Sequence, residues 1–363
     1  MNKQELAYSS SLRVALILAG GGGTRLWPAS TPMRPKQVIP GLPKPGQNLL
    51  STTLHRLTGL VKREHTYFIT TQEQSTLLQR ALPQFPSTNF ILEPEGRNTA
   101  ACVALGLLQL QDLYPHSELT VLILPADHHI QQENTFAVSL QQACLYAEEK
   151  RCIVTLGITP THADTGYGYL QYVNDPLSSP QDSPLYPVSR FVEKPDPLQA
   201  QRYVDSQEYL WNAGIFVSTF DRLQREYQKH CPSTWKSLSR ARQQDSPDSL
   251  RESYRALASE SIDTAIMEKQ SDLHVLPIDV GWSDLGSWQA IAALLPKDLQ
   301  GNAIHASGEA PIVHDSKDCL LWSEQGPVVL LGLEGLAVIQ VEGRTLVCPR
   351  DRLTEARALL RLR

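Results

Sequence analysis

The chain has 363 residues and a formal net charge of −5, from 33 basic and 38 acidic residues. This length accommodates one large α/β domain and a smaller one, while the balanced charge, without a basic run, excludes an electrostatic nucleic-acid-binding surface. The six cysteines have neither zinc nor redox spacing, and no apolar signal segment is found. The apolar run from Val14 to Ala19 is too short to span a membrane. Together these features predict a cytoplasmic protein that binds no membrane.

After a loose arm at residues 1–12, strand and helix patterns alternate up to about residue 300. Asn98 and Ser261 are placed to cap two of the helices. The alternation predicts an α/β fold with a Rossmann-like, mainly parallel sheet that binds ligands at the carboxyl ends of its strands. The predicted strands are 14–19, 67–70, 89–92, 120–124, 188–193, 213–217 and 273–279, and the predicted helices are 49–61, 72–82, 98–113, 262–269 and 287–295.

The residue pattern of the sequence changes at two points. From Thr165, alternating aromatic residues and glycines predict a hairpin inserted over the sheet. Beyond Pro296, short β-like runs alternate with turns before a final helix, Thr354 to Leu360. We therefore place a boundary near residues 299–302, between domains 1–300 and 301–363. No hexapeptide repeat is found, so the second domain is expected to be a compact, β-rich appendage that is short and β-helix-like rather than a full-length β-helix.

Four consecutive glycines follow the first strand. They are Gly20, Gly21, Gly22 and Gly23. Because they lack Cβ atoms, their backbone N–H groups can close on a polyanion, and Arg25 and Lys36 add positive charge. Lys36 comes too late for a P-loop, and Arg25 stands where a dinucleotide fingerprint needs its third glycine. The run predicts a different phosphate-binding loop, with a glycine-rich turn after a core strand as the alternative.

The stretch Gly21 to Gln37, G-G-G-T-R-L-W-P-A-S-T-P-M-R-P-K-Q, resembles the opening of the sugar-nucleotide pyrophosphorylases. Its L-W-P form is most like the mannose-1-phosphate guanylyltransferases, although Thr31 stands where that family commonly has arginine. The resemblance implies that GTP and mannose 1-phosphate react, with Mg²⁺, to GDP-mannose and diphosphate. It assigns the glycine run and Thr24 to the nucleotide, and Arg25 and Lys36 to charge that grows on the phosphates.

Two aspartates are candidate metal ligands. Asp127 ends the strongest central strand in P-A-D, and Asp284 lies between glycines in D-V-G-W-S-D-L-G-S-W. Carboxylates at such positions can hold a divalent cation, whereas the alternative is that each merely caps a loop or helix. In the resembling family the residue matching Asp127 binds Mg²⁺, so Asp127 and Asp284 are predicted to share this ion. Ala126, next to Asp127, is assigned to the nucleotide.

The sugar phosphate is assigned to a second group of residues. In R-F-V-E-K-P, Glu193 and Lys194 are predicted on opposite faces of a strand end. A carboxylate suits sugar hydroxyls and an ammonium suits a phosphate, while the alternative is a solvated ion pair. The resemblance assigns both to the sugar phosphate and adds Asn212, from W-N-A-G-I-F, as a hydroxyl partner. Gly168 would let the backbone approach the sugar closely.

The segment E-P-E-G-R-N-T-A-A, from Glu93 to Ala101, is the part most particular to guanylyl transfer. Guanine presents N–H donors on one edge, which the Glu93 carboxylate or backbone carbonyls could accept. Arg97 and Asn98 are included in the predicted nucleotide site. Helix capping by Asn98 and Thr99 is the alternative, and the base contact is not assigned to one residue.

The sequence lacks a Ser-His-Asp order, a reactive-cysteine context and a zinc-type histidine pair. A sugar 1-phosphate is largely dianionic near neutral pH and attacks without a protein base, so nucleotidyl transfer needs only positioning and charge neutralisation. The alternatives are synthesis of GDP-heptose or another nucleotide sugar, a non-catalytic sugar-nucleotide-binding regulator and, less favoured, a dinucleotide-dependent oxidoreductase. The phosphomannose isomerase domain of bifunctional relatives is not expected. The sequence does not determine the oligomeric state, for which a homodimer is one candidate.

Overall fold

The computed structural model describes residues 11–21, 24–42, 46–177, 184–244 and 246–356. These residues form two compact units, each assembled from separate stretches of the chain. The larger unit contains residues 11–20, Arg56–Pro125 and Ile130–Trp282. The smaller unit contains Gly21–His55, Ala126–His129 and residues 283–356.

One mixed sheet organises the larger unit. The strands up to residue 283 are β1 (Leu12–Leu18), β2 (Thr66–Thr71), β3 (Phe90–Glu93), β4 (Leu119–Pro125), β5 (His129–Ile130), β6 (Ile153–Ile158), β7 (Tyr169–Tyr172), β8 (Tyr186–Val192), β9 (Tyr209–Thr219), β10 (Leu273–Ile278) and β11 (Trp282–Ser283). Within the described part of the chain, nine of them form the sheet, in the order β3-β2-β1-β4-β9-β6-β10-β8-β7. The half from β3 to β4 is parallel, whereas β9 runs antiparallel to both β4 and β6.

β1 and its neighbours form the core of this sheet. Val14, Ala15, Leu16 and Ile17 have no exposed surface, as expected for a strand covered on both faces. Because β1, β2 and β3 are parallel, their carboxyl ends lie at one edge, which brings the residues after β1 close to Glu93 at the end of β3.

The predicted hairpin is confirmed, but its predicted position over the sheet is wrong. β7 and β8 pair antiparallel, and β7 also pairs with β9, with Tyr169 opposite Trp211. Both strands therefore extend the sheet itself, because their backbone groups find partners in its last strands.

Helices pack between and beside the strands. The helix through Leu113 ends as predicted, but it includes Asn98, and Arg97 rather than Asn98 is its N-cap. Ser261 caps the next predicted helix by accepting the Thr264 N–H at 3.2 Å. The first helix stops before Gly59, which has a φ of 83°. The helices are α1 (Leu49–Arg56), α2 (Gln72–Ala81), α3 (Asn98–Leu113), α4 (Glu133–Lys150), α5 (Pro197–Ser206), α6 (Phe220–His230), α7 (Pro232–Gln243), α8 (Pro247–Arg255), α9 (Ile262–Ala265) and α10 (Trp288–Leu294). Short 3-10 helices cover Thr24–Leu26, Lys36–Val38, Arg63–His65, Ser87–Asn89, Met267–Lys269 and Arg350–Glu355. None of the described helices is long and apolar enough to cross a membrane.

The helices α4 to α8 were not among the predicted elements. A signal for three of them is present, since α5, α7 and α8 each begin with proline: Pro197, Pro232 and Pro247. Proline is favoured at the first helical position, because its missing N–H would be unpaired there in any case.

The smaller unit contains a short β-helix. Its strands are β12 (Ala303–Ala306), β13 (Ile312–His314), β14 (Leu320–Ser323), β15 (Val329–Leu331), β16 (Leu336–Val341) and β17 (Arg344–Pro349). Parallel partners are 17 residues apart along the chain: Ala303 pairs with Leu320, Leu320 with Ala337, and Ile312 with Val329. The β-rich appendage is therefore confirmed, and its coil of 17 residues explains why no hexapeptide repeat is visible.

The last strand, β17, pairs antiparallel with β16 and so closes that edge of the β-helix. Of the predicted final helix, Thr354 and Glu355 end the 3-10 helix Arg350–Glu355, and residues 357–360 lie outside the described residues. The division of the chain into domains 1–300 and 301–363 stays a prediction.

Candidate active site

Lys36 meets both predicted metal ligands within the smaller unit. It begins the 3-10 helix Lys36–Val38, directly after Pro35. Its ammonium lies 2.8 Å from Asp127 Oδ2 and donates a hydrogen bond to the backbone carbonyl of Asp284. Only 10% of the Lys36 side chain is exposed. Two aspartates that are far apart in sequence therefore converge on one ammonium group.

The surroundings of Asp127 favour its charged form. Burial raises the pKa of this carboxyl, but the charge of Lys36, its hydrogen bond and the other nearby positive charges together outweigh burial and hold the pKa below its ordinary value. The charges of His128 and Arg25 act in the same direction. Asp127 is therefore anionic at neutral pH, in the form that can bind a cation.

A tight turn holds Asp284. Its Oδ1 accepts the backbone N–H of Gly286 at 3.0 Å, and a Cβ on Gly286 would lie only 2.6 Å from Oδ2. Ser287, rather than Asp284, caps α10, by accepting the N–H of Ala290 at 3.1 Å. Arg25 approaches Asp284 Oδ2 at 3.8 Å, and 61% of its side chain is exposed. The Asp284 carboxylate is thus oriented by its own turn. The alternative that Asp284 caps α10 is wrong, because Ser287 is the cap.

The donor set of this cluster fits Mg²⁺. This ion takes oxygen ligands, commonly one or two carboxylates together with substrate phosphates and water, rather than a cage made only of protein. The described residues contain no group of three or more histidine, cysteine or acidic side chains that could hold a metal ion. Asp127 and Asp284 are carboxylates of the kind that such a site uses, and their sharing of one ion stays a prediction.

The predicted nucleotide loop is only partly within the described residues. Gly20 closes tightly on Glu93 in the larger unit, since a Cβ on Gly20 would lie 3.0 Å from Glu93 Oε2. Gly21 is exposed, and a Cβ there would meet no atom within 4 Å. Ala126 is buried, with its carbonyl 3.5 Å from Thr53 Oγ1. Gly22, Gly23 and the side chain of Thr24 lie outside the described residues.

Glu93, the candidate guanine acceptor, is deeply buried. Its Oε1 accepts the Tyr254 hydroxyl at 3.0 Å. Burial raises the pKa of Glu93 to about 7, against the hydrogen bonds from Tyr254 and the Cys102 thiol, which lower it. The carboxyl is thus partly protonated at neutral pH, so it can donate as well as accept. Contact with the base by Glu93 stays a prediction.

The residues after Glu93 connect to the start of α9. Arg97 is paired with Glu95, at 2.6 Å. Asn98 has a φ of 64°, and its Oδ1 accepts the N–H of Thr99 at 2.8 Å. The Thr99 hydroxyl in turn accepts the N–H of Ile262 at 2.8 Å. Arg97, not Asn98, is the N-cap of α3, and no side chain caps that helix, so the capping alternative is not met there; the Thr99 hydroxyl instead holds an N–H at the start of α9. The nucleotide roles of Arg97 and Asn98 stay predictions.

Three of the predicted sugar-site residues come together in the larger unit. The Gly168 carbonyl accepts the N–H of Asn212 at 2.8 Å. A Cβ on Gly168 would lie 2.6 Å from Glu193 Oε2 and equally close to the Phe191 ring, so no other residue fits there without movement. Gly168 is thus required for packing against Glu193, in addition to any approach to a sugar.

The predicted placement of Glu193 and Lys194 on opposite faces of a strand is wrong. Strand β8 ends at Val192, and Lys194 has a φ of 47°. This left-handed turn brings the Lys194 ammonium back onto the Glu193 carboxylate, with which it forms an ion pair. The Lys194 side chain is 55% exposed and that of Glu193 is 16% exposed, so the ammonium remains accessible to an anion.

Sequence reasoning missed Asp263 and Glu268. Asp263 Oδ1 accepts from Asn212 Nδ2 at 2.8 Å, and Glu268 Oε1 accepts the backbone N–H of Glu193 at 2.7 Å. Burial, followed by the charge of Glu193, raises the pKa of Asp263 to about 6. Both acidic residues lie in the segment 262–269, which was predicted only as a helix.

Residues 14–301 match the family model described as Nucleotidyl transferase. The chain belongs to the nucleotidyl transferase family. Residues 310–361 of this nucleotidyl transferase match a second model, described as the MannoseP isomerase/GMP-like beta-helix domain. The two matches agree with the α/β fold and the short β-helix, so the predicted α/β fold class and the enzyme class are confirmed. The sheet itself is mixed rather than mainly parallel as predicted, because β9, β8 and β7 all pair antiparallel.

The relatives of this nucleotidyl transferase indicate which group within the family it resembles. The mannose-1-phosphate guanylyltransferase of Escherichia coli (strain K12) is 34% identical over 352 residues, which are 95% of this chain and 72% of that protein. The enzyme of the same name from Salmonella montevideo is 36% identical, with the same coverage. The crystal structure of mannose-1-phosphate geranyltransferase from Thermus thermophilus superimposes with a TM-score of 0.83 and 32% identity, covering 96% of this chain and 98% of that chain. The resemblance to the mannose-1-phosphate guanylyltransferases is confirmed.

Proposed function

We propose that this nucleotidyl transferase joins mannose 1-phosphate to the guanylyl group of GTP, forming GDP-mannose and releasing diphosphate. The observation that carries the proposal is its identity, over nearly the whole chain, to enzymes named for this activity. The charged cluster of the smaller unit supports it, because Lys36, Asp127, Asp284 and Arg25 provide both signs of charge for a phosphate transfer.

The reaction exchanges one phosphoanhydride bond for another. A phosphate oxygen of mannose 1-phosphate forms a bond to the α-phosphorus of GTP. The bond from that phosphorus to the oxygen that bridges to the β-phosphate breaks, and its electron pair leaves with diphosphate. The attacking phosphate is largely dianionic near neutral pH, so no protein base has to remove a proton.

Lys36 and Arg25 are the proposed cationic residues for this transfer. Negative charge grows on the departing diphosphate, and fixed cations stabilise such charge best where water is partly excluded. Lys36, with most of its side chain buried, fits this role, and Arg25, more exposed, fits a residue that closes on bound phosphate. While no substrate is bound, Asp127 balances the charge of Lys36.

Asp127 and Asp284 are the proposed ligands of Mg²⁺. When bound, this ion would neutralise phosphate charge and polarise the α-phosphate. The depressed pKa of Asp127 keeps this ligand anionic, and the Gly286 N–H holds the Asp284 carboxyl in place. Both residues would therefore present charged oxygens without rearrangement of their backbone.

A second group of residues is proposed for the sugar and the base. Glu193, Asn212 and Gly168 are proposed to bind the mannose hydroxyls, and Lys194 its phosphate. Asp263 adds an acceptor beside Asn212. The guanine edge is proposed to be bound near Glu93. A reducing, cytoplasmic location is proposed as well, and the free thiols of all six cysteines support it. A homodimer stays a prediction, which light scattering can measure.

The proposal is tested by incubating the purified protein with each nucleoside triphosphate and a series of sugar 1-phosphates. Diphosphate release is measured and the sugar-nucleotide product is identified by mass spectrometry. GTP with mannose 1-phosphate should give the highest kcat/KM, and Lys36→Ala, prepared in parallel, controls for contaminating activity. A higher kcat/KM with a heptose phosphate or with another nucleoside triphosphate would show that the proposed substrate specificity is wrong. Binding of the substrates without turnover would indicate a regulator.

A further inference from the structure

Within the smaller unit, an arginine fastens the loop that carries Lys36 to the β-helix. Arg34 donates from Nη1 to the carbonyl of Ala29 at 3.1 Å and from Nη2 to Glu324 Oε2 at 2.6 Å. The Glu342 carboxylate lies 3.7 Å from Arg34 Nε. Glu324 follows β14 and Glu342 follows β16, so adjacent coils of the β-helix present carboxylates to one guanidinium.

A second set of contacts joins the other end of the same loop to Glu324. The Trp27 carbonyl accepts the indole N–H of Trp288 at 3.0 Å. The rings of Trp288 and Trp322 meet edge to face, with centroids 5.6 Å apart. Trp322, which is fully buried, donates from Nε1 to Glu324 Oε1 at 2.9 Å. The two carboxylate oxygens of Glu324 thus connect Arg34, on one side, with the tryptophan pair that contacts Trp27, on the other.

The position of Arg34 determines that of Lys36 through a short, stiff connection. Arg34 and Thr31 exchange two backbone hydrogen bonds, of 2.9 and 3.0 Å. Pro35 follows, with φ restricted by its ring and observed at −66°, and Lys36 starts its 3-10 helix directly afterwards. A displacement of the Arg34 backbone would therefore move the Lys36 ammonium relative to Asp127.

We propose that Glu324, acting through Arg34, is a positioning residue for Lys36, so that the β-helix domain takes part in catalysis by holding a catalytic loop. The Arg34 and Glu324 side chains are only 13% and 14% exposed, so this pair is shielded from water, and each group has further hydrogen-bond partners. Such a pair is strongly destabilised when one partner is removed, unlike an exposed pair. The part of the proposal that concerns turnover rests on the proposed function.

The first test compares two conservative substitutions in the β-helix. Glu324→Gln should lower kcat roughly tenfold to a hundredfold, the usual cost of a misplaced reacting group, with the KM for mannose 1-phosphate nearly unchanged. Glu334→Gln is the matched control, because Glu334 pairs with Lys317 at 3.1 Å in the same β-helix but with both side chains mostly exposed. Equal kcat values for both variants would overturn the proposal.

The second test asks whether the effect passes through Lys36. In a Lys36→Ala background, Glu324→Gln should change kcat by less than about twofold, because residues that act as a unit give non-additive losses. If instead the two losses multiply, Glu324 acts independently of Lys36 and the proposal is wrong. A general loss of folding would multiply in the same way, so this test separates positioning from a structural role.

The third test needs no activity, so it can fail or succeed separately from the proposed function. Unliganded protein is labelled briefly with acetic anhydride, and Lys36 acetylation is measured by peptide mass spectrometry relative to Lys150. Glu324→Gln should label Lys36 severalfold faster than wild type and Glu334→Gln. Arg34→Lys, which keeps the charge but lacks the planar fork for two partners, should do the same. Unchanged Lys36 labelling in both the Glu324 and Arg34 variants would overturn the proposal even if the enzyme makes GDP-mannose.

Discussion

Lys36 Nζ lies 2.8 Å from Asp127 Oδ2, and the same nitrogen contacts the backbone carbonyl, not the carboxylate, of Asp284. The two predicted metal ligands therefore differ in what they do for the unliganded protein. Asp127 neutralises a mostly buried ammonium, whereas Asp284 offers Lys36 an atom that any residue at that position would supply.

This difference predicts unequal stabilities. Asp127→Asn leaves the Lys36 charge without its partner and should lower the free energy of unfolding by about 1–3 kcal/mol. Asp284→Asn retains both the carbonyl and an acceptor for Gly286 and should cost much less. Urea unfolding without ligand measures both. Adding Lys36→Met should reduce the cost of Asp127→Asn, and equal midpoints for the two asparagine variants would contradict the assignment.

Replacing Lys36 by alanine should mainly reduce kcat. Its charge is proposed to matter most as diphosphate departs, and loss of one such contact is typically worth about 10² to 10³ in rate. Steady-state kinetics with both substrates varied will separate kcat from the two KM values. A folded variant with the turnover number of wild type would remove Lys36 from the mechanism.

Shared coordination of Mg²⁺ predicts a non-additive pair. Asp127→Asn and Asp284→Asn should each abolish most Mg²⁺-dependent turnover, and the double variant should lose little more than either single variant. Titration of turnover with Mg²⁺ separates loss of the ion from displacement of Lys36, since only the former shifts the half-saturating Mg²⁺ concentration. Losses that multiply in the double variant would count against one shared ion.

The sugar end of the site should separate from the nucleotide end in the kinetics. Glu193→Gln and Lys194→Ala should raise the KM for mannose 1-phosphate about tenfold or more, with the KM for GTP nearly unchanged. Neither should greatly reduce stability, because the ion pair includes a Lys194 side chain that is more than half exposed and such pairs are weak. If GTP binding weakened instead, the assignment of these residues to the sugar would be reversed.

Much of the fold follows from local pattern. The apolar run around Leu16 predicts β1, and α3 was predicted with its observed end at Leu113. The order of strands was less accessible, because nothing in the sequence of β9 shows that it inserts antiparallel between β4 and β6. The β-helix coil was hidden for a similar reason, since its pairing is set by a 17-residue spacing rather than by a repeated motif.

The candidate site could be predicted as a set of residues but not as a set of contacts. Spacing and residue type single out Lys36 and Asp127, yet their ion pair depends on how distant stretches of chain fold together. The same is true of Asn212 and Asp263, whose hydrogen bond joins β9 to α9. Turn geometry could not be predicted either, because the left-handed φ of Lys194 does not follow from an E-K-P sequence.

The last prediction concerns Glu93 and pH. Burial raises the pKa of this carboxyl from its ordinary value of 4.5 to about 7, so the folded state binds the Glu93 proton more tightly than the unfolded state does. Stability attributable to this group is therefore greatest below pH 4.5 and declines as the pH rises to about 7, above which the loss is constant. Glu93→Gln, which keeps an acceptor for Tyr254, should remove this decline and stabilise the protein above pH 7 by at most about 3 kcal/mol.

Denaturant unfolding from pH 4 to pH 8 measures the difference between wild type and variant, so the separate contribution of Asp263 cancels. Tyr254→Phe removes a hydrogen bond that lowers the pKa of Glu93, and it should shift the decline to higher pH. Parallel stability curves for wild type and Glu93→Gln across this range would show that Glu93 is not held in a proton-binding environment.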